Sequence, residues 1–324
     1  MCTRAVYLGE GKTILTGRSM DWSEQMDSNF YLFPRGMTKM GGNGENVLKW
    51  TSKYGSVVTS IYEGGTADGM NENGLVVNML FFAESEYPDS LTSEKPVIYI
   101  SAWAQYVLDN YQTVSKAVND LQKESFIVKV STAPNGIPGK VHLSLSDSSG
   151  DSAILEYIDG KLVVHHGKQY QVMTNEPVYE EQLAIAKYWK QIGSVNLLPG
   201  TNRASDRYVR ADYYINASRQ TNDPKEALAV LASIIRNISV PRGLNDPLKP
   251  NISTTIWRTY SDNTNKIYYF EDTAHLFGVW VELKKLDFSA GNKVKKIQLE
   301  GNVHIFGDIT DDFTEVSPFS FISE

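Results

Sequence analysis

The sequence predicts an α+β fold in which antiparallel sheets carry layers of helices on their outer faces. Strand-like and helix-like segments come in blocks along the chain, an order that disfavours strict βαβ alternation. Apolar residues are spread evenly over the 324 residues, with no repeat and no evident linker. Since a chain of this length can bury a full core, we expect one domain over residues 1–324.

The first block is predicted to be β-structure. Two β-prone runs flank a glycine-bearing turn at 9–11, a pattern typical of a β-hairpin. A turn-like segment at 68–74 introduces the last run of the block. The predicted strands are 3–8, 14–20, 29–33, 56–62 and 75–82.

Helices and strands then follow one another in larger groups. Spaced apolar residues between 97 and 121 predict two helices, with Asn110 at the break. Asp223 is suited to cap a later helix, because Pro224 fits the first helical position. The other predicted elements are a strand meander at 142–146, 153–157, 161–165 and 171–175, helices at 180–191, 205–218 and 223–237, and strands at 254–260, 266–271 and 279–283.

Charge and hydropathy exclude several kinds of partner. The chain has 31 basic and 38 acidic residues, a formal charge of −7, whereas binding to nucleic acid needs a basic face. No segment approaches the ~18 apolar residues of a membrane span, and the first residues lack the apolar core of a signal peptide. We expect no nucleic-acid or membrane partner, and a protein that is cytoplasmic as written, or periplasmic if an export signal has been removed.

The motifs of nucleotide-binding enzymes and of α/β-hydrolases are missing from the sequence. It contains no GxxxxGK[ST] loop, no GxGxxG opening a helix and no GxSxG elbow. One cysteine excludes an intramolecular disulfide and a Cys-rich zinc site, and His165 and His166, adjacent on a strand, point to opposite faces. We therefore expect no metal and no cofactor.

The position of the single cysteine suggests nucleophilic catalysis. If Met1 is removed, Cys2 carries both a thiol and a free α-amine, whose pKa of about 8 leaves part of it unprotonated near neutral pH. Thiol and base then lie on one residue, which is a known form of activated nucleophile. The alternative is a buried packing cysteine that happens to fall early in the chain.

Two charged residues at the end of the second predicted strand favour the catalytic alternative. The hairpin would bring Arg18 and Asp21 back beside Cys2, so that one lowers the thiol pKa and the other holds the amine. The competing explanation is a surface ion pair, because this spacing is common.

Five segments in order resemble the choloylglycine hydrolase family, which comprises penicillin V acylases and bile salt hydrolases. They are MCTR (1–4), GRSMDW (17–22), ADGMNENGL (67–75), MTNEP (173–177) and, after LPG at 198–200, SDRYVR (205–210). The resemblance extends to at least Arg258. Three further segments, WTSKYGS (50–56), AESEYP (83–88) and SLSDSSGD (144–151), are most similar to the penicillin V acylases of Gram-negative bacteria.

The resemblance implies a fold and a set of roles. The fold is that of an N-terminal nucleophile hydrolase, a four-layer αββα sandwich of two antiparallel sheets between helical layers. Cys2 would be nucleophile and base, with Arg18 and Asp21 positioning it. Asn175 would donate its side-chain amide to the oxyanion, and Arg207 would support the site.

One position departs from the bile salt hydrolase pattern. Those enzymes carry an asparagine whose backbone contributes to the oxyanion hole, and its counterpart by spacing is Phe81. A backbone donor survives a change of side chain, so Phe81 would serve as the oxyanion backbone and, with Trp22, would line a more aromatic substrate pocket. The alternative for both aromatics is ordinary core packing.

The expected partner is a small-molecule amide. The first hypothesis is cleavage of the side-chain amide of phenoxymethylpenicillin, and of N-acyl homoserine lactones, which related enzymes accept. The alternatives are hydrolysis of conjugated bile salts and a non-catalytic binding protein on the same fold. The resemblance also implies a homo-oligomer, a tetramer.

Overall fold

The computed structural model describes residues 2–90, 93–193, 197–244, 253–275, 278–302 and 304–323. Met1, whose removal the proposed chemistry requires, lies outside the described residues. The helices are α1 (Ile100–Asn110), α2 (Val114–Leu121), α3 (Tyr179–Ile192), α4 (Ala204–Ala217) and α5 (Pro224–Asn237). The strands are β1 (Cys2–Leu8), β2 (Ile14–Trp22), β3 (Phe30–Phe33), β4 (Thr38–Met40), β5 (Lys49–Thr51), β6 (Ser56–Ile61), β7 (Gly65–Asn71), β8 (Val76–Phe81), β9 (Val97–Tyr99), β10 (Ile127–Lys129), β11 (Val141–Ser146), β12 (Ser152–Ile158), β13 (Lys161–His166), β14 (Val172–Met173), β15 (Thr254–Asp262), β16 (Ile267–Asp272), β17 (Val279–Glu282), β18 (Lys295–Ile297), β19 (Gly307–Asp308) and β20 (Thr314–Glu315).

Two large sheets form the centre of the molecule. Sheet I has the strand order β14-β1-β2-β15-β16-β17-β19, and sheet II the order β13-β12-β11-β8-β7-β6-β3-β18-β20. Neighbouring strands are antiparallel except for β17 and β19, which are parallel. Helices α4 and α5 pack on β1 and β2 of sheet I, whereas α1 packs on β7 and β8 of sheet II. The layers are therefore helices, sheet II, sheet I and helices, which confirms the predicted αββα sandwich.

The predicted hairpin at the start of the chain is confirmed. The whole of β1 pairs with β2, with Cys2 opposite Met20 and Arg4 opposite Arg18. The predicted cap of α5 is also confirmed, because Asp223 accepts hydrogen bonds from the N–H groups of Lys225 and Glu226.

The predicted turn at 68–74 is mostly wrong. Residues 65–71 form β7, and the turn begins only at Glu72, where the Asn71 side chain accepts hydrogen bonds from Asn73 and Leu75. Gly69 allows close packing, since a Cβ there would lie 2.8 Å from Cγ1 of Val58 on β6 and 2.9 Å from Cδ1 of Leu108 on α1. This glycine therefore lies at a packing contact in the sheet and not in a turn. Turn propensity alone does not distinguish these two roles of glycine.

The last strand of the predicted meander lies in the other sheet. Strands β11, β12 and β13 follow one another in sheet II, but β14 pairs with β1 of sheet I, where Met173 lies opposite Arg4. This crossing brings Asn175, two residues after β14, to the end of β1 that carries Cys2.

No helix among the described residues is long and apolar enough to cross a membrane.

Candidate active site

The hairpin places the thiol of Cys2 on the face of sheet I that looks toward sheet II. Side chains alternate along a strand, so that Cys2, Met20 and Arg18 share this face. The Cys2 Sγ lies 3.6 Å from the Met20 Sδ and 3.7 Å from Nη2 of Arg18. Cys2 is buried except for its access to a cavity.

The guanidinium of Arg18 is fully buried between the sheets. Its Nη2 donates to the carbonyl oxygen of Met79 at 2.9 Å, and its Nη1 lies 3.2 Å from Oδ2 of Asp68. Its Nε donates to the carbonyl of Ser19, and its Cζ lies 4.5 Å from the centre of a Trp257 ring. These contacts fix the orientation of the guanidinium and hence the position of its positive charge next to the thiol.

A second buried arginine lies on the opposite face of sheet I. Arg207 comes from α4, and its Nη1 donates to the carbonyl oxygen of Cys2 at 2.8 Å and to the Thr3 hydroxyl. The same Nη1 lies 3.5 Å from Oδ2 of Asp21. Oδ1 of Asp21 accepts a hydrogen bond of 2.6 Å from the hydroxyl of Thr255, its partner across β2 and β15. Arg18 thus faces the Cys2 sulfur from one face of the sheet, and Asp21 pairs with Arg207 on the other.

Asn175 joins the two sides of the site. Its Oδ1 accepts from the backbone nitrogen of Cys2 at 2.5 Å and from Nη2 of Arg207 at 2.9 Å. Its Nδ2 donates to the carbonyl oxygen of Phe81 at 2.6 Å. Since a side-chain amide has two N–H groups, one remains after this bond.

The backbone of Phe81 is directed toward the site. The N–H of Phe82 donates to the Lys140 carbonyl beside β11, so the backbone groups of Phe81 point away from β11. Its carbonyl reaches Asn175, and in a strand the N–H of the same residue points to the same side. The ladder between β7 and β8 has already ended at Asp68 and Asn78.

A cavity leads from the surface to Cys2 through the gap where β7 and β8 separate. Its volume is about 90 Å³. The lining is almost entirely apolar. It includes Cys2, Arg18, Met20, Trp22, Met26, Ile61, Tyr62, Gly65, Met79, Phe81, Ile100, Ser101, Ser131, Ala133, Ile137, Gly139, Val141 and Ile322.

Hydrogen bonds join three chain segments at the mouth of this cavity. The hydroxyl of Tyr62 donates to Oε1 of Glu24 at 2.6 Å and accepts from Nε1 of Trp22 at 3.0 Å. Nδ2 of Asn135 donates to the same Glu24 oxygen at 2.8 Å. Burial, followed by the hydrogen bond to Glu24, raises the pKa of Tyr62 above its ordinary value, so the phenol stays a neutral donor.

The structure brings all the predicted site residues together. Trp22 and Phe81 both line the cavity, with ring centres 5.7 Å apart. Sequence reasoning missed Met20, Tyr62 and Asp68. Strand alternation on β2 would have found Met20, whereas the other two approach the site only through tertiary packing.

The described parts of the chain contain no cluster of three or more His, Cys, Asp or Glu residues suited to hold a metal ion.

Residues 2–297 match the model of the linear amide C-N hydrolases, choloylglycine hydrolase family. The chain belongs to this family. It is accordingly a hydrolase of linear amide C–N bonds.

Individual relatives agree with this family membership. The chain is 46% identical to a penicillin V acylase of Pectobacterium atrosepticum, over 99% of this chain and 92% of that protein. It superimposes with a TM-score of 0.92 on the penicillin V acylase of Agrobacterium tumefaciens, at 50% identity and over 100% of both chains. A mutant of the conjugated bile acid hydrolase of Clostridium perfringens shares the fold, with a TM-score of 0.79 at 22% identity over 94% of this chain and 99% of that chain.

Proposed function

We propose that this choloylglycine hydrolase family member cleaves the side-chain amide of phenoxymethylpenicillin with Cys2 as the nucleophile. The observation that carries the proposal is the position of the only thiol of the sequence at the inner end of an apolar cavity, between Arg18 and Asn175. The names of the relatives at 46% and 50% identity support the choice of substrate.

The proposed reaction begins once removal of Met1 frees the amine of Cys2. The amine takes the thiol proton, and the sulfur attacks the amide carbonyl to give a tetrahedral oxyanion. Collapse breaks the C–N bond, the ammonium returns its proton to the leaving nitrogen, and the acyl group stays on sulfur as a thioester. Water, deprotonated by the same amine, then releases the carboxylic acid and restores the thiol.

Two neutral donors are available for the oxyanion. They are the N–H of Asn175 that is not bonded to the Phe81 carbonyl, and the backbone N–H of Phe81. A preorganised donor of this kind contributes on the order of 3 kcal/mol to lowering the barrier. Both are uncharged, so neither competes for the proton of the thiol.

The charged residues have separate roles in this mechanism. Nη2 of Arg18 faces the sulfur at 3.7 Å from the inter-sheet side, where its positive charge lies beside the attacking atom. Arg207 fixes the Cys2 carbonyl, and Asp21 balances the charge of Arg207 on the helix side. The amine therefore has a fixed orientation relative to its own thiol.

The lining of the cavity supports an apolar acyl group. The rings of Trp22 and Phe81 are arranged to hold a phenoxy ring between them and the thiol. A fatty acyl chain would use the same walls, and we therefore propose N-acyl homoserine lactones as second substrates.

The decisive experiment compares three substrates under matched conditions. We expect release of 6-aminopenicillanic acid from phenoxymethylpenicillin and deacylation of an acyl homoserine lactone to exceed release of glycine from glycocholate. Cys2→Ala should abolish all turnover and remain folded, and Cys2→Ser should be far slower, since the hydroxyl is the poorer nucleophile. A preference for glycocholate would overturn the substrate, and turnover by folded Cys2→Ala would overturn the mechanism.

Mass spectrometry of the active protein tests the role of the amine. The expected intact mass lacks Met1, because a peptide-bonded nitrogen cannot act as the base. Full activity of a chain that keeps Met1 would contradict this mechanism.

We further propose that the chain forms the homotetramer implied by its family resemblance. Three large apolar side chains are exposed at the end of α3 and just after it, namely Tyr188 (56%), Ile192 (45%) and Leu197 (52%). Light scattering should give four times the chain mass, and Ile192→Asp should lower it. A monomer at micromolar concentration would contradict the proposal.

A further inference from the structure

A fully buried carboxylate lies behind the arginine that faces the thiol. Asp68, on β7, belongs to sheet II, whereas Arg18 belongs to sheet I, and both side chains have no solvent exposure. Nη1 of Arg18 lies 3.2 Å from Oδ2 of Asp68, and Nη2, on the same guanidinium, faces the Cys2 sulfur. Asp68 therefore holds one terminal nitrogen of the Arg18 guanidinium, and the other terminal nitrogen faces the Cys2 sulfur.

Three neutral donors hold the carboxylate of Asp68 in turn. Oδ2 accepts from Nδ2 of Asn78 at 2.7 Å and from the Thr259 hydroxyl at 3.1 Å. Oδ1 accepts from the hydroxyl of Tyr268 at 2.6 Å. Together with Arg18, the donors come from β2, β8, β15 and β16, so the position of this acid depends on both sheets.

The energetics of burial make the two charged groups depend on each other. Burial raises the pKa of Asp68, and Arg18 followed by the neutral donors opposes that rise. A buried arginine that loses its counter-ion leaves an uncompensated charge, which is among the costliest defects in a protein interior. Arg18 will then move toward other acceptors or toward water.

We propose that Asp68 is a positioning residue of the reaction, which aims the guanidinium of Arg18 at the Cys2 sulfur without itself touching substrate. The inference rests on the proposed role of Cys2 as nucleophile. It gives a function in the site to an acid that the sequence alone places in a turn.

The test measures the thiol directly. Cys2 is the only cysteine of the sequence, so no other thiol contributes to the rate of alkylation by iodoacetamide as a function of pH. In Asp68→Ala the anchor is lost, and we expect the alkylation midpoint to rise by about one pH unit. We expect kcat for phenoxymethylpenicillin to fall on the order of 100-fold with little change in KM.

A conservative variant separates the hydrogen bond that Asp68 accepts from Arg18 from the negative charge of Asp68. Asp68→Asn keeps an oxygen for Arg18 but removes a negative charge near the thiol, so its midpoint should fall below that of the wild type while kcat is partly restored. If Asp68→Ala does not fold, Asp68→Ser, which also removes the carboxylate, takes its place. An unchanged or lower midpoint in folded Asp68→Ala, or in Asp68→Ser when only that variant folds, would overturn the proposal.

The chain offers a matched control at another buried ion pair. Asp109 is also fully buried, and it accepts from Nζ of Lys39 at 2.9 Å, from Trp50 and from Gln105. Asp109→Asn should lower the stability of the fold without moving the Cys2 midpoint. A shift equal to that of the Asp68 variants would mean that any loss of a buried charge perturbs the thiol, and would overturn the inference.

The outcome also distinguishes this inference from the proposed function. A wild-type chain that cleaves none of the three substrates, while the Asp68 variants still move the alkylation midpoint, would contradict the substrate assignment and leave the positioning role intact. Turnover of phenoxymethylpenicillin with unmoved midpoints would do the reverse.

Discussion

At the scale of single residues, two arginines contact Cys2 from opposite faces of one sheet. Arg18 reaches the sulfur of Cys2, and Arg207 reaches its carbonyl oxygen. Each has a buried acid as its counter-ion, Asp68 or Asp21, on its own side of the sheet. This separation lets one charge act on the thiol and the other on the backbone, although both act on the same residue.

Replacement of Arg207 tests its contacts with the Cys2 carbonyl and with Asp21. Arg207→Ala removes the positive charge beside the buried Asp21 and the donor to the Cys2 carbonyl, so we expect a loss of about 3–5 kcal/mol in the free energy of unfolding. Urea titration measures this loss. Arg207→Lys should restore part of the stability but little of kcat, because an ammonium cannot reach all the acceptors of a guanidinium.

An exposed arginine provides the control for this experiment. Arg236 is 58% exposed and pairs with Glu271, which also pairs with Arg258. We expect Arg236→Ala to cost less than about 1 kcal/mol. Equal losses for the two alanine variants would contradict the importance given to Arg207.

At the scale of elements, the β1–β2 hairpin is positioned by a helix that never touches the cavity. Helix α5 lies on the outer face of β2, where Gly17 leaves room for Leu231 and Ile235. Gly17 directly precedes Arg18. The distance at which α5 packs on β2 therefore determines how close Arg18 lies to sheet II.

Gly17→Ala tests this coupling between α5 and the site. The added Cβ would lie 2.8 Å from Cγ1 of Ile235 and 3.1 Å from Cγ of Leu231, and overpacking of this kind typically costs 1–3 kcal/mol, here about 2 kcal/mol. Calorimetry should show the lower melting temperature, and kcat should fall with it. Gly200→Ala is the control, since no atom lies within 4 Å of its added Cβ; an equal loss there would contradict the argument.

At the scale of the whole molecule, the cavity exists because two sheets and three connecting segments meet around Cys2. Sheet I supplies the thiol, and the separated ends of β7 and β8 in sheet II supply the opening. The hydroxyl of Tyr62 joins Trp22 and Glu24 at the mouth, with Asn135 bound to the same acid. Access to the nucleophile thus depends on contacts between residues far apart in the chain.

Tyr62→Phe tests the role of the hydrogen bonds at the mouth. Loss of the hydroxyl leaves Trp22 without its acceptor, and we expect KM for phenoxymethylpenicillin to rise roughly five-fold, the equivalent of about 1 kcal/mol, with a smaller change in kcat. Steady-state kinetics measures both constants. The control is Tyr7→Phe, because the hydroxyl of Tyr7 donates to the Arg219 carbonyl away from the cavity. A KM increase of the same size in this variant would contradict a specific role for Tyr62.

Much of the secondary structure could be predicted because local patterns are strong where one face of an element is buried. The hairpin, the helices α3 to α5 and the central strands follow from alternation, helical spacing and the Asp223 cap. The errors at 68–74 and 171–175 have a common cause. Both predictions rest on local patterns, which carry no information about partners that are distant in the chain. Turn propensity predicts the turn at 68–74, whereas Gly69 lies in β7 and packs against α1. Adjacency along the chain predicts that 171–175 continues the meander, whereas β14 pairs with a strand about 170 residues earlier.

By itself, the sequence predicted an α+β fold of antiparallel sheets with outer helices, because those elements depend on local patterns along the chain. Its five ordered motifs indicated the family, and that resemblance implied the αββα sandwich and the site residues Cys2, Arg18, Asp21, Asn175 and Arg207. Only the tertiary structure decided that Arg18 and Asp21 lie on opposite faces of sheet I, that Asn175 joins Cys2 to Phe81, and that Asp68 lies behind Arg18. The physical reason is that directions and distances between strands of two sheets are set by packing over the whole core, which no local pattern records.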